Sequence, residues 1–380
     1  MSGTEILKIS LVAIFAANSL LLGAILIIKP IHRRRTDLQR RRRSAYTSLL
    51  SRHLALESHE VALGRKVAED QAFLDALIDL RSVVKGPDAE ALGTIVDRFA
   101  IGTRQSVRLG QRYRIDTRLR AAVALAELAD ESAAPTLMRH LSDPSPEVRV
   151  QCARGLSRIR WKPGIEAILS RFETETPWVR SRFADSLIEY GDLATWPLIS
   201  YVRSKSVFGA AGPAAAVRAL ANIGDPTAVE PLLVILDDVH EPEIQIAIVE
   251  TLGTLGAPMA FDSVEKAARS EDWRLRAKAA SALATLGDAS VVPTLALGLE
   301  DDNWWVRRNS ASALSQFANG RDVLYATLLS EDSFARDAAA EALADAGELI
   351  AARDRVEGGI GERRDFDLLE LVEGAVVTSS

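Results

Sequence analysis

The chain contains a single cysteine, Cys152, so no intramolecular disulfide framework is possible and a reducing compartment is the simpler expectation. Aromatic residues make up only 6% and prolines number 14, against a hydrophobic content of 48%. That balance speaks against a sandwich or barrel and for an alanine- and leucine-rich all-α protein. The GxxxxGK[ST] phosphate loop, the GxSxG nucleophile elbow, the HExxH zinc helix and paired-cysteine spacings are all missing, and with them the usual signatures of catalysis. The five histidines, His32, His53, His59, His140 and His240, are scattered, and the spacing of His53 and His59 does not bring them to one helical face. Cys152 falls on an alanine-rich helical face and reads as a packed core thiol. The expectation is a protein that is not an enzyme, with no cofactor, no metal and no small-molecule substrate.

Charge is divided unevenly. Residues 1–43 hold nine Lys/Arg against Glu5 and Asp37, and the remainder carries 37 basic and 50 acidic residues, a balance of −13. So acidic a body repels phosphate backbones, which excludes nucleic acid as the expected partner. From Ile9 to Ile28 runs a stretch of twenty uncharged, mostly apolar residues, which as a helix would rise about 30 Å, the thickness of a hydrocarbon core. Arg33, Arg34, Arg35 and Arg40, Arg41, Arg42, Arg43 follow it. Positive charge on that side places the N-terminus outside and residues 30–380 in the cytoplasm. A cleaved signal peptide competes as a reading, but it would carry its charge before the apolar run and a small-residue cleavage site after it. The arginines are expected to lie at the membrane surface, where they set topology and attract anionic lipid. Within the span, Asn18 lies near mid-membrane, with Ser19 and Gly23 as a small-xxx-small pair; the three read either as a contact with a transmembrane partner helix or as one amide tolerated in a single span beside a chance spacing.

A repeat occupies most of the rest. An anchor position, usually arginine, recurs at Arg118, Arg149, Arg180, Pro213, Gln245, Arg276, Arg307 and Arg336, at spacings of 31, 31, 33, 32, 31, 31 and 29. Seven residues after each anchor stands a leucine: Leu125, Leu156, Leu187, Leu220, Leu252, Leu283, Leu314 and Leu343. Four after is alanine or valine, and ten after is usually apolar, so one helical face is marked. Glycine stands eleven after the anchor at Gly191, Gly224, Gly256, Gly287 and Gly347, where a helix stops in the left-handed conformation. A second apolar segment follows each stop, so every unit is a helix pair, and such pairs bury their faces by stacking.

The forms LRAKAASALATLGD (275–288) and VRRNSASALSQFAN (306–319) resemble the HEAT-repeat family, especially the short bacterial, phycobilin-lyase-like type. The resemblance implies a right-handed α-solenoid of about eight hairpins after the transmembrane helix. It also implies a structural ladder between Arg149, Arg180, Arg276, Arg307 and Arg336 and Asp143, Asp272, Asp302 and Asp332. The organisation expected is a transmembrane helix at 1–29, a basic juxtamembrane segment at 30–43, a helical cap at 44–115, the solenoid at 116–357 and a tail at 358–380 that forms either a last helix or a docking strand. Residues 203–213 break the pattern with glycines and Pro213, as a bend, a loop or a degenerate unit.

Aromatics precede the anchor in four units: Trp178, Trp273, Trp304 with Trp305, and Phe334. They read either as staples on the first helical turn or, with neighbouring acids such as Asp301 and Asp302, as a rim that docks a basic protein surface. Trp305 is expected to pack inward and Trp304 to face solvent. The function expected is a membrane-anchored scaffold or regulatory subunit. Its partner is expected to be an integral membrane protein, an enzyme such as a glycosyltransferase. The alternative is a bilin-lyase-like or other enzyme subunit.

Overall fold

The computed structural model describes residues 36–55, 65–111, 114–205, 209–287 and 289–378. The apolar run 9–28, with Asn18, Ser19 and Gly23, and the arginines Arg33, Arg34 and Arg35 lie outside these. Among the described residues no helix is long and apolar enough to cross a membrane, and no strand occurs. The chain divides into two compact units, Met1–Ile159 and Arg160–Ser380.

In the first unit, residues 36–55 form α1. It is followed by α2 (Arg65–Ala68), α3 (Gln71–Val83), α4 (Pro87–Arg98), α5 (Ile101–Leu109), α6 (Ile115–Leu128), α7 (Ala134–His140) and α8 (Pro146–Ile159). The described residues between 44 and 115 are mainly helical. The core of this cap gathers Leu50, Phe73, Leu77, Leu92, Ile95 and Ile101, and the same cluster takes in Ala124 and Leu128 of α6. The cap thus shares an interior with the first repeat.

The second unit holds α9 (Pro163–Leu169), α10 (Pro177–Tyr190), α11 (Thr195–Lys205), α12 (Ala211–Ile223), α13 (Val229–Asp238), α14 (Pro242–Leu255) and α15 (Phe261–Ala267). It continues with α16 (Trp273–Leu286), α17 (Val292–Leu297), α18 (Trp304–Leu314), α19 (Ala318–Thr327), α20 (Ser333–Asp345), α21 (Glu348–Glu357) and α22 (Arg363–Thr378). The first helices of successive pairs, α10, α12, α14, α16, α18 and α20, stack one on the next, and each intervening helix packs against the one that follows it. The tail is the helix α22, packed on α21 with Leu368 fully buried.

The leucine column is the centre of this packing: all eight, Leu125 to Leu343, are 0% exposed. The helices are thin where they meet. A Cβ on Gly253 would come within 2.8 Å of Ala282 Cβ, and one on Gly155 within 2.8 Å of Leu137 Cδ1. Alanine and glycine therefore set the helix spacing, as close packing without voids requires.

Most helix stops follow the expected geometry. Gly191, Gly224, Gly256 and Gly347 have positive φ, and so do Ala129 and Arg160, which hold the same repeat position without glycine. Gly287 departs, with φ −98°. It is needed for space instead, since a Cβ there would lie 2.0 Å from Val291 Cγ1.

The irregular stretch still begins a helix. Pro213 is buried in the first turn of α12, where its missing N–H is not needed. Gly212 lets the Tyr201 hydroxyl, donating to Glu173 Oε1 at 2.6 Å, close against the helix start.

Candidate protein-docking site

The anchor side chains explain why arginine recurs. Several fold back onto carbonyls just past the preceding helix: Arg149 Nη1 donates to Asp143 O at 2.8 Å, Arg276 Nη1 to Ser270 O at 2.9 Å, and Arg336 Nη1 to Ser330 O at 2.7 Å. Arg180 does the same with Phe172 O and Glu175 O. Three anchors also reach a carboxylate 25 residues ahead. Arg118 grips Asp143 through Nε and Nη2 at 2.9 and 3.1 Å, Arg276 grips Asp301 at 2.7 and 2.8 Å, and Arg307 Nη1 meets Asp332 at 3.2 Å. Planar guanidinium forks suit such bidentate pairs.

The ladder runs through Asp301, whereas Asp302 was expected. Asp301 is therefore committed within the chain, also accepting from Asn303 N at 2.9 Å, and Asp302 is the exposed acid of the pair. Asp272 is not a rung. The anchor of the unit before it is Gln245, whose amide caps Val239 O at 2.9 Å, and Asp272 pairs with Arg274 at 2.7 Å instead. That hydrogen bond holds the Asp272 carboxyl below the usual carboxylate range.

The aromatics stand one or two residues before the inward-facing residue of each helix start. Val179, Leu275, Val306 and Ala335 are buried, and a residue one or two positions earlier is turned away by about 100° or about 200°. Trp178 is 50% exposed, Trp273 40%, Trp304 47%, Trp305 49% and Phe334 61%. Trp305 thus does not pack inward; Val306 fills that place, and the two indoles meet edge to face with centroids 4.6 Å apart. Polar caps fix the backbone beneath the rings: Asn303 accepts from Trp305 N at 2.9 Å, Asp272 from Arg274 N at 2.8 Å and Asp332 from Phe334 N at 2.9 Å. Because α16, α18 and α20 stack, Trp273, Trp304–Trp305 and Phe334 recur at one end of three neighbouring helices. Arginine already lies over two of the rings, Arg308 5.3 Å from the Trp304 centroid and Arg307 5.0 Å from that of Phe334. Glu271, Glu300, Asp302 and Glu331 are exposed in the loops alongside. Large half-exposed rings beside free carboxylates give buried anchor area and selection for cations.

Of the arginines expected at the membrane surface, Arg40, Arg41, Arg42 and Arg43 are exposed on α1. Two of them are engaged: Arg43 Nε donates to Asp79 at 2.7 Å, and Arg42 lies 3.5 Å from Asp70.

Trp196 was missed by sequence reasoning, which counted its segment as core. It is 59% exposed and lines a groove of about 590 Å³ with Ile199, Arg203, Glu230 and Val234. It stands off the face marked by Thr195, Leu198, Ile199 and Val202, all buried, and that helical spacing is the signal that was available.

Cys152 is fully buried, and burial pushes its thiol far above the ordinary range. Among the described residues no group of three or more His, Cys, Asp or Glu is placed to hold a metal ion.

A family model of HEAT repeats matches residues 109–195, 210–283 and 261–344, more than half of the chain. The chain belongs to the HEAT-repeat family. No curated protein matches it. Among solved structures, the HEAT chain is similar to the karyopherin Kap121p bound to the SUMO protease Ulp1p, with TM-score 0.50 and 13% identity, covering 83% of this chain and 39% of that one. It is also similar to the CpcE–CpcF complex of phycocyanin lyase from Nostoc (TM-score 0.34, 20% identity, 63% of this chain and 94% of that one). Human deoxyhypusine hydroxylase gives TM-score 0.30 and 19% identity, over 68% of this chain and 99% of that one. At these identities the likeness is one of fold, and the HEAT chain spans well under half of the karyopherin.

Proposed function

We propose that the protein is a membrane-anchored docking scaffold. Residues 9–28 cross the bilayer with the N-terminus outside, the HEAT units lie in the cytoplasm, and the aromatic rim of the second unit holds a basic segment of a partner protein. The observation that carries this reading is the recurrence of half-exposed rings at Trp273, Trp304, Trp305 and Phe334, one stacked helix after another, beside the exposed acids Glu271, Glu300, Asp302 and Glu331. Asp301 supports the rim indirectly, through Arg276, and Trp178 extends the set on α10. The partner is an integral membrane protein whose helix meets Asn18, Ser19 and Gly23. The role is that of a binding protein, since the buried Cys152 offers no accessible thiolate and the usual nucleophile motifs are missing.

Two variants test the parts separately. Trp273→Ala/Trp304→Ala should release a co-purifying membrane protein from mild detergent while leaving the chain itself in the membrane fraction. Asn18→Leu should weaken the same complex from the other side. The mass of the released chain decides whether it is a glycosyltransferase. A single-species preparation with no bound chain, unchanged by either variant, would overturn the proposal.

A further inference from the structure

The rim repeats one arrangement three times. The residue before the N-cap of α16, α18 and α20 is an exposed acid each time: Glu271 before Asp272, Asp302 before Asn303 and Glu331 before Asp332. The first or second residue of the helix is then an exposed ring, Trp273 on α16, Trp304 and Trp305 on α18, and Phe334 on α20. Other helix starts in the stack lack the combination. Before the cap of α10 stands Glu175, 5% exposed and paired with Arg171, and before those of α12 and α14 stand Gly209 and His240.

The cations nearest the rings are already engaged, Arg274 on Asp272, Arg307 on Asp332 and Arg308 on Glu341. Among the described residues no salt bridge takes up Glu271, Asp302 or Glu331. Arg308 and Arg307 lie over Trp304 and Phe334. What stays open of those rings, together with Trp273 and Trp305, is apolar surface beside a carboxylate that has no cation of its own.

On the reading of this rim as a docking site, we infer that its occupant is a segment in the polyproline II conformation with a cationic side chain at every third residue, laid across the starts of α16, α18 and α20. Packed helices stand about 8–10 Å apart, so the three acids recur at about that interval. A polyproline II chain makes three residues per turn at 3.1 Å each, so every third side chain returns to the same face after about 9.3 Å. A β-strand covers a similar distance in three residues but turns the third to its other face. In an α-helix six residues rise about 9 Å and leave the side chain about 240° away, and seven restore the face only at about 10.5 Å. Each cation of the occupant meets one acid, and its aliphatic stem and the residues between lie on the rings.

The test uses the full chain in mild detergent and labelled proline-rich peptides, read by fluorescence anisotropy. One peptide carries three arginines at every third position, a second has the same composition with the arginines consecutive, and a third is an alanine-based helix with arginine at every seventh position. The first should bind about tenfold tighter than the second, and Asp302→Lys should remove that preference. Replacing the central arginine of the first peptide by glutamate should weaken its binding to the unmodified chain and restore it to Asp302→Lys. Asp302 is exposed, and an unchanged melting temperature separates a lost contact from a lost fold. Equal binding of the first two peptides, tighter binding of the helical one, or no restoration by the glutamate peptide would overturn the spacing while the rim stands, provided that Trp273→Ala/Trp304→Ala still weakens binding. Binding indifferent to those two tryptophans, or none at all, would overturn the rim as well.

Discussion

Arg118→Ala should be among the most damaging single changes in the first unit. The Arg118 side chain is 8% exposed and that of its partner Asp143 is 3% exposed. The pair is joined by two short bonds, and a third arm reaches Gln111 O. Truncation leaves a desolvated carboxylate with the Ser145 amide, at 2.9 Å, in place of a cation. Leaving one partner of a buried pair charged and alone costs about 3–5 kcal/mol, a large part of the ~5–15 kcal/mol that holds a typical domain. Removing both charges together, in Arg118→Met/Asp143→Asn, should cost less than the single truncation, because no bare charge remains buried. Arg182→Ala supplies the scale for an open pair, since Arg182 and Asp185 are each 56% exposed and such pairs contribute about 0–1 kcal/mol. Stacked repeats lose protection piecewise, so peptide-resolved hydrogen exchange is the assay. Residues 114–128 and 141–148 should lose protection first in Arg118→Ala. A loss below ~0.5 kcal/mol, within the scatter of surface substitutions, or a double variant worse than the single one, would refute the reasoning.

Three further changes read other parts of the fold. Gly253→Ala places a methyl 2.8 Å from Ala282 Cβ and 3.0 Å from its Cα; backbone cannot yield there, and a loss of about 1–3 kcal/mol by thermal unfolding is expected. Leu283→Ala should cost about 2–5 kcal/mol by its cavity, while Trp304→Ala, at a half-exposed site, should leave the melting temperature nearly unchanged. Asp365 is fully buried, and its hydrogen bond from Arg355 at 2.6 Å holds its carboxyl below the usual range. Its contribution is therefore complete above the unfolded carboxylate value of about 4 and is lost as pH falls through and below it. Exchange at α22 should rise selectively on acidification, and Asp365→Asn should remove most of that pH dependence.

Much of this was legible in the sequence, because a column of leucines at fixed offset from an anchor is a direct image of a buried face. All eight leucines are fully buried, and the arginine register that located them is the one the hydrogen bonds use. Errors arose where neighbouring loops differ in length. Asp272 precedes its anchor by four residues, Asp302 by five and Asp301 by six, so the arginine register alone does not say which acid of the Asp301–Asp302 pair forms the rung. Trp305 was misplaced for a related reason: Val306 already occupied the inward position, and a one-residue step turns a side chain out of the core. The shared interior of cap and first repeat had no linear signal, since Leu128 meets Phe73 and Leu92 only through tertiary packing.

The central claim, that a partner sits on the aromatic rim, is tested most directly by photocross-linking in native membranes. A photoreactive phenylalanine would replace Trp304 in one chain and Leu297 in another; Leu297 ends α17 and is 68% exposed. The account predicts one discrete adduct with a membrane protein from position 304, abolished by Glu300→Lys/Asp302→Lys, and none from position 297. Equal labelling at both positions, or none at 304 while the complex is intact, would contradict it.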